Sequence, residues 1–188
     1  MSNLRPVVSV VTDEELMAAY VAGDSRAFER LFARLAPRVH GFFLRSFRDP
    51  AVADDLLQVT FMKVHRARER WDRTLKLAPW LFSVAARVRL DELRKRLRLA
   101  EDADEEALAR ADEQAPRDDP PDPGAQDAVR AALDRLPESQ RTVIHLHRYE
   151  GMTFPEIAQV LGTSAGAVKL RAFRGYETLR KELAGVLE

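Results

Sequence analysis

Cysteine is absent from this chain of 188 residues. Its absence excludes disulfide bridges, thiolate zinc sites and cysteine nucleophiles, and it suits a reducing compartment. Four histidines remain, and two of them, His145 and His147, lie two positions apart on a predicted helix, so they point to different faces and would not chelate one ion. The sequence therefore predicts no metal site and no bound cofactor.

Long apolar runs are also lacking. The N-terminal stretch of residues 7–11 is mostly apolar. It is shorter than the core of a signal peptide, which needs about 7 to 15 residues, and far shorter than a membrane span of about 20. We therefore expect a soluble, cytoplasmic protein that is not exported.

Net charge is lacking as well, because 30 basic residues balance 30 acidic ones. The charge is nevertheless unevenly distributed: residues 101–124 hold ten acidic side chains and two arginines, a net charge of −8, and the rest of the chain carries +8. Basic segments that flank an acidic one are typical of nucleic-acid-binding proteins. Residues 100–125 also contain four prolines and a glycine near their end, which predicts a flexible linker.

Helical periodicity is present throughout, whereas no segment shows sustained strand alternation. Capping-box patterns at Thr12–Glu15 and Thr153–Glu156 predict two helix starts. The sequence predicts an all-α protein of two small helical domains: residues 1–11 form a tail, 12–99 an N-terminal bundle, 100–125 the acidic linker and 126–188 a helix-turn-helix domain.

Two surfaces of the predicted N-terminal bundle are unusual. A helix from residue 51 to about 70 carries a mixed polar and apolar strip opposite its apolar face, which is an odd surface if water is its only neighbour: Asp55, Gln58, Val59 and Met62. The next helix, from Pro79 to about Leu99, carries a mostly basic stripe, which is either a solvated helix face or a nucleic-acid surface: Ser83, Arg87, Arg94, Lys95, Arg96 and Arg98.

The C-terminal domain contains two short helices joined at Gly162, with Thr163 and Ser164 available to cap the second. This pattern predicts a helix-turn-helix whose second helix can enter the major groove of DNA. The alternative is a generic helical hairpin with basic residues outside. The small Ala172 and Gly175 predict light packing of the second helix. Its exposed, DNA-facing residues are predicted to be Lys169, Leu170, Arg171, Phe173 and Arg174.

Two stretches carry a resemblance to a known family. Residues 136–180, LPESQRTVIHLHRYEGMTFPEIAQVLGTSAGAVKLRAFRGYETLR, resemble the C-terminal domain of extracytoplasmic-function (ECF) sigma factors, and residues 48–96, RDPAVADDLLQVTFMKVHRARERWDRTLKLAPWLFSVAARVRLDELRKR, resemble their N-terminal domain. Two matches in the right order are far more specific than either alone. The resemblance covers nearly the whole chain except the extreme N-terminus and the linker.

The resemblance implies partners and roles. The strip of Asp55, Gln58, Val59 and Met62 would dock on the clamp helices of core RNA polymerase, and the second helix of the C-terminal pair would read the −35 promoter element. An anti-sigma factor would hold the protein inactive, at the inner face of the membrane where that factor is membrane-bound. The −10 element would be opened and held by aromatic stacking and backbone contacts: Trp71, Trp80, Ser83, Arg87, Arg94, Lys95 and Arg98. Trp80 has core packing as its alternative.

The sequence departs from the family at three of these positions. The family usually has glutamate at the position of Val59, asparagine at that of Arg87 and serine at that of Leu170. Polymerase docking and base preference are therefore expected to differ from those of typical members.

Two other classes of protein fit the sequence less well. A helix-turn-helix regulator that never loads on polymerase would use the same DNA-reading helix, but it usually adds a dimer interface and a ligand-sensing domain, neither of which has a signature here. An enzyme is not expected, since there is no phosphate-binding glycine loop, metal cluster or nucleophile motif, and no small-molecule substrate is predicted.

Overall fold

The computed structural model describes residues 11–101 and 125–184, and every regular element in these ranges is a helix. The predicted all-α class is confirmed. The contact pattern divides the chain into two compact units, Met1–Ala85 and Ala86–Glu188. The predicted acidic linker lies outside the described residues apart from its two ends, which are helical, and the predicted domain boundary there stays a prediction.

Residues 11–101 form four α-helices and a short 3-10 helix. They are α1 (Asp13–Val21), α2 (Ser25–Phe47), α3 (Pro50–Ala67), the 3-10 helix Arg68–Arg70, and α4 (Leu77–Glu101). Helix α4 begins at Leu77, two residues before the proline that predicted its start.

Side-chain caps explain where the first three helices begin. The hydroxyl of Thr12 accepts from the Glu15 amide at 3.1 Å, and the Glu15 carboxylate accepts from the Thr12 amide at 2.8 Å, so the predicted capping box is formed. The carboxylates of Asp24 and Asp49 cap α2 and α3 by accepting from backbone amides of the first turn, and Pro50 occupies the first turn of α3.

The core of the first unit is built around phenylalanines. Phe42, Phe43 and Phe82 are all fully buried, and the rings of Phe42 and Phe82 meet edge to face at 5.7 Å. Helix α2 packs against both α1 and α3. This packing uses one face of α3, with Phe61 and Val64 buried, and leaves the opposite face of that helix exposed.

Residues 125–184 form four more α-helices: α5 (Ala125–Arg135), α6 (Glu138–Arg148), α7 (Phe154–Leu161) and α8 (Ala165–Leu183). Helix α8 packs against α5, α6 and α7, so the other three helices together fix its orientation. The centre of the core at their junction is apolar, with Val143, Leu146, Ile157 and Val168 buried.

The prediction of light packing around α8 is wrong at Gly175. This residue is buried against α6, and a Cβ added to it would lie 2.6 Å from Cδ1 of Ile144 and 3.4 Å from Cβ of Gln140. The shorter distance is far inside van der Waals contact. The glycine therefore allows the backbones of α6 and α8 to approach more closely than any side chain would permit.

Candidate nucleic-acid interface

Helices α7 and α8 form the predicted helix-turn-helix. Thr153 and Glu156 form a second capping box at the start of α7, with the Glu156 carboxylate accepting from the Thr153 amide at 2.8 Å. Gly162 ends α7 with φ of 61°, in the left-handed region that glycine adopts without strain. Ser164 then begins α8, since its hydroxyl accepts from the Ala167 amide at 3.1 Å.

One face of α8 is available to a partner. Val168 and Ala172 are buried on the inner side, together with Gly175. On the outer side Phe173 is 63% exposed and Leu170 is 48% exposed. Cations next to exposed apolar side chains match a major groove, in which phosphates and guanine edges attract the cations and thymine methyl groups contact apolar atoms. We call this set the α8 face: Lys169, Leu170, Arg171, Phe173 and Arg174.

Arg171 differs from the other members of the α8 face. Lys169, Leu170, Phe173 and Arg174 are exposed as predicted, whereas Arg171 is half-buried. The prediction that Arg171 is exposed is therefore corrected. Arg171 lies three residues after Val168 and four before Gly175, which are both buried, so it borders the inner side of the helix and not the centre of the face.

The mixed strip of α3 lies on the surface, away from the core. Asp55 and Gln58 are exposed, Val59 is 39% exposed and Met62 is 54% exposed. These residues follow the three-to-four spacing of one helix face. An exposed valine and methionine between polar side chains form a surface suited to a protein partner. We call it the α3 strip.

The loop between the 3-10 helix and α4 is an ordered turn. The Asp72 carboxylate accepts from the Thr74 amide at 2.9 Å and from the Thr74 hydroxyl at 2.7 Å, and the Leu75 amide donates to the Asp72 carbonyl at 3.0 Å. The two Thr74 bonds hold the pKa of Asp72 below its usual value, because they stabilise the carboxylate. Every residue from 72 to 76 is exposed.

The family resemblance implied that the loop and helix over residues 71–98 open the −10 element, but none of the side chains of this 72–76 loop was predicted as a site residue. Its side chains include Arg73, Leu75 and Lys76, and Leu75 is an aliphatic side chain that is 54% exposed between two cations. The signal was present in the sequence, since an aspartate two residues before a threonine favours a side-chain-stabilised turn. An exposed leucine flanked by cations suits an unstacked base and its phosphates.

Trp71, which was predicted to contact the −10 element, is buried. The indole is 5% exposed, so this conformation presents no ring face on which a DNA base could stack. Its Nε1–H has no acceptor among the described residues. Trp71 directly precedes the 72–76 loop. The sequence alone does not show whether an aromatic side chain at this position is exposed or buried. A direct contact between Trp71 and DNA therefore stays a prediction that this conformation does not support.

Helix α4 carries the remaining candidates. In its first half Trp80 and Ser83 are half-buried, and the Ser83 hydroxyl donates to the Trp80 carbonyl at 2.7 Å. The partial burial of Trp80 fits its core-packing alternative. In the second half four predicted cations are exposed: Arg87, Arg94, Lys95 and Arg98.

His145 and His147 lie in different surroundings. His145 lies 3.4 Å from the Glu150 carboxylate, whereas Nδ1 of His147 lies 2.8 Å from the Met152 carbonyl, so the two rings occupy separate environments as their spacing predicted.

In the part of the chain that the structure describes, no helix combines the length and apolar character needed to cross a bilayer.

Comparison with known proteins identifies the family. The profile of Sigma-70 region 2 matches residues 31–99, and that of Sigma-70, region 4 matches residues 126–179. The chain is 42% identical over 172 residues to RNA polymerase sigma factor CarQ of Myxococcus xanthus, a match covering 92% of this chain and 97% of CarQ. It is 32% identical over 179 residues to ECF RNA polymerase sigma factor SigM of Mycobacterium tuberculosis, covering 92% and 85% of the two chains.

A solved structure agrees with the sequence matches. CnrH, determined in complex with the cytosolic domain of CnrY, superposes with a TM-score of 0.66 at 30% identity over 92% of this chain and 97% of CnrH. The chain belongs to the sigma-70 family of RNA polymerase sigma factors. Within that family it is a member of the extracytoplasmic-function group.

Proposed function

We propose that this chain binds core RNA polymerase and directs promoter-specific transcription initiation as an alternative sigma factor. The observation that carries the proposal is the presence, in one chain of this family, of an exposed cationic and apolar α8 face together with an exposed α3 strip. The first surface fits duplex DNA and the second fits a protein. The chain acts through binding alone and leaves catalysis to the polymerase.

The α8 face reads the −35 element as duplex. Arg174 reaches a guanine edge or clamps phosphate, Lys169 pairs with phosphate, and Leu170 and Phe173 contact thymine methyl groups. Arg171 acts from the margin of the face. The family usually has serine at the position of Leu170, so we expect a base preference at this contact that differs from that of typical members.

The first part of the chain engages the −10 element. The 72–76 loop holds an unstacked base against Leu75, while Arg73 and Lys76 neutralise phosphates. Exposed cations on α4, among them Arg87, Arg94, Lys95 and Arg98, track the DNA backbone. The buried Trp71 fixes the N-terminal end of the loop to the core, and the half-buried Trp80 and Ser83 pack in the first half of α4.

The α3 strip docks on core polymerase. Asp55 and Gln58 supply polar contacts at its edge, and Val59 and Met62 supply apolar area that is desolvated on binding. Since the family usually has a glutamate where Val59 stands, the docking surface here gains apolar area and loses one charge.

An anti-sigma factor controls the protein in this proposal. The family resemblance supports it, and so does the relative CnrH, whose structure was solved bound to the cytosolic domain of CnrY. The expected location is the cytoplasm, at the inner face of the membrane when the inhibitor is anchored there. Its test is a partner that co-purifies at equal stoichiometry from the native cell and abolishes transcription when added back. Isolation with polymerase but never with an inhibitor contradicts it.

Reconstitution with core polymerase tests the main proposal. Purified chain added to core enzyme should produce a discrete run-off transcript that core enzyme alone does not produce. The competing function is a helix-turn-helix regulator that binds an operator without polymerase. Tight operator binding with no gain in specific initiation supports that regulator and refutes the sigma factor proposal.

A further inference from the structure

Helix α1 reaches the far end of the 72–76 loop through one glutamate. The Leu77 amide, at the first residue of α4, donates to Oε1 of Glu14 at 2.9 Å. The first amides of a helix have no partner within the helix, and a negative charge is favourable there. Leu77 is 1% exposed, so this amide has little access to water as a substitute acceptor. Glu14 is thus the side chain that satisfies the amide at the point where the loop becomes helix.

The same helix contacts the 3-10 helix that leads into the loop. The Arg68 guanidinium lies 5.8 Å from the centre of the Tyr20 ring, and the Tyr20 hydroxyl shares a hydrogen bond with Nδ1 of His65. Burial raises the pKa of Tyr20, and the charge of Arg68 opposes this. Arg68 opens the 3-10 helix that leads into the loop, and it also donates to the His65 carbonyl at 2.8 Å.

Helix α1 therefore contacts the chain on both sides of the loop, and these contacts restrict the distance between the 3-10 helix and α4. Glu14 and Tyr20 are separated by about 9 Å along a helix that rises about 1.5 Å per residue. Leu16 and Met17, between them, are buried against α2, so α1 is itself fixed to the core. A rigid helix thus contacts both the 3-10 helix that leads into the loop and the residue that follows the loop, and Asp72 orders the turn between them.

We infer that Glu14 is a positioning residue for promoter opening, acting through the 72–76 loop without touching DNA. The inference rests on the proposed function of that loop at the −10 element. A base must leave the stack before the loop can hold it, so a preformed loop avoids an ordering cost at the moment of opening. Loss of the Glu14 contact frees the start of α4 and lets the loop sample other conformations.

Three variants in the full-length chain, reconstituted with core polymerase, test the inference. Glu14→Ala removes the acceptor, and Glu14→Gln keeps an uncharged one. Glu15→Ala is the matched control: it removes the neighbouring carboxylate of the same helix turn and breaks the Thr12 capping box, but it leaves Leu77 paired. The rate of open-complex formation is followed with a fluorescent base analogue in the −10 element, and core polymerase affinity is measured separately.

Glu14→Ala should slow opening about tenfold, the equivalent of one hydrogen bond to a charged group. Its affinity for core polymerase should be unchanged, Glu14→Gln should recover most of the rate, and Glu15→Ala should open the promoter at the wild-type rate. Opening at the wild-type rate by Glu14→Ala overturns the inference, and so does equal slowing by Glu15→Ala, which shows a general effect of destabilising α1. Failure of the wild-type chain to open any promoter is a separate result, since it refutes the proposed function itself.

Discussion

The close contact between α6 and α8 at Gly175 leaves no room for a larger residue at this position. We predict that Gly175→Ala destabilises the protein, although alanine is the better helix former. The new Cβ would lie 2.6 Å from Cδ1 of the buried Ile144, so one of the two groups must move by about 1 Å to reach ordinary contact. Overpacking of this kind costs about 1 to 3 kcal/mol, whereas the helix propensity gained is about 1 kcal/mol. The net loss should be about 1 kcal/mol.

A second substitution tests whether the contact with Ile144 causes the destabilisation by Gly175→Ala. Ile144→Val deletes Cδ1, the atom in closest contact with the new methyl group, and by itself should cost about 0.5 to 1.5 kcal/mol. In the double variant the methyl group added at position 175 occupies the space left by Cδ1, so the two losses should not add. A favourable coupling free energy of about 1 kcal/mol is expected.

Urea denaturation followed by circular dichroism measures all four proteins of this cycle. Gly166→Ala is the control for helix propensity, because an added Cβ at Gly166 meets nothing closer than the Ser164 hydroxyl at 3.9 Å. It should be neutral or stabilising. If Gly175→Ala raises the stability as much as Gly166→Ala does, or if the double variant loses the sum of the two single losses, the close approach of α6 and α8 is not the reason for the glycine.

Three further predictions concern the functional surfaces. Lys169→Ala should weaken binding equally on −35 and random duplexes and reduce the slope of log affinity against log salt concentration by about 0.9; a loss confined to the specific sequence contradicts its role as a phosphate contact. Met62→Asp should weaken core polymerase binding by about tenfold or more without changing the unfolding midpoint, whereas Val129→Asp, at an exposed apolar position of α5, should leave polymerase binding intact. Trp71→Phe should keep promoter opening and change the stability by less than about 1.5 kcal/mol, because it removes an unpaired buried N–H and retains most of the ring; loss of opening at unchanged stability restores the base-stacking role.

Local features of the fold were predictable from the sequence, and distant contacts were not. The capping boxes at Thr12 and Thr153 and the turn at Gly162 depend on residues within a few positions of one another, and all three are formed. The exposure of the α3 strip followed from helical spacing for the same reason.

The features that the sequence missed depend on residues far apart in the chain. Whether Trp71 is buried is decided by the core that forms around it, and the space at Gly175 is decided by Ile144 on another helix. The bond from Leu77 to Glu14 joins positions 63 residues apart, and no periodicity within either segment encodes it. The roles assigned to individual DNA-facing residues stay predictions for a related reason, since they depend on a partner.

Selection of promoter DNA with the reconstituted holoenzyme tests the central claim most directly. Random duplex fragments are selected for specific initiation, and the retained sequences are then mapped for base pairing in the complex. The sigma factor account predicts two separated sequence elements, the upstream one remaining duplex and the downstream one unpaired. A single palindromic element that stays fully paired, recovered equally well without polymerase, contradicts the account.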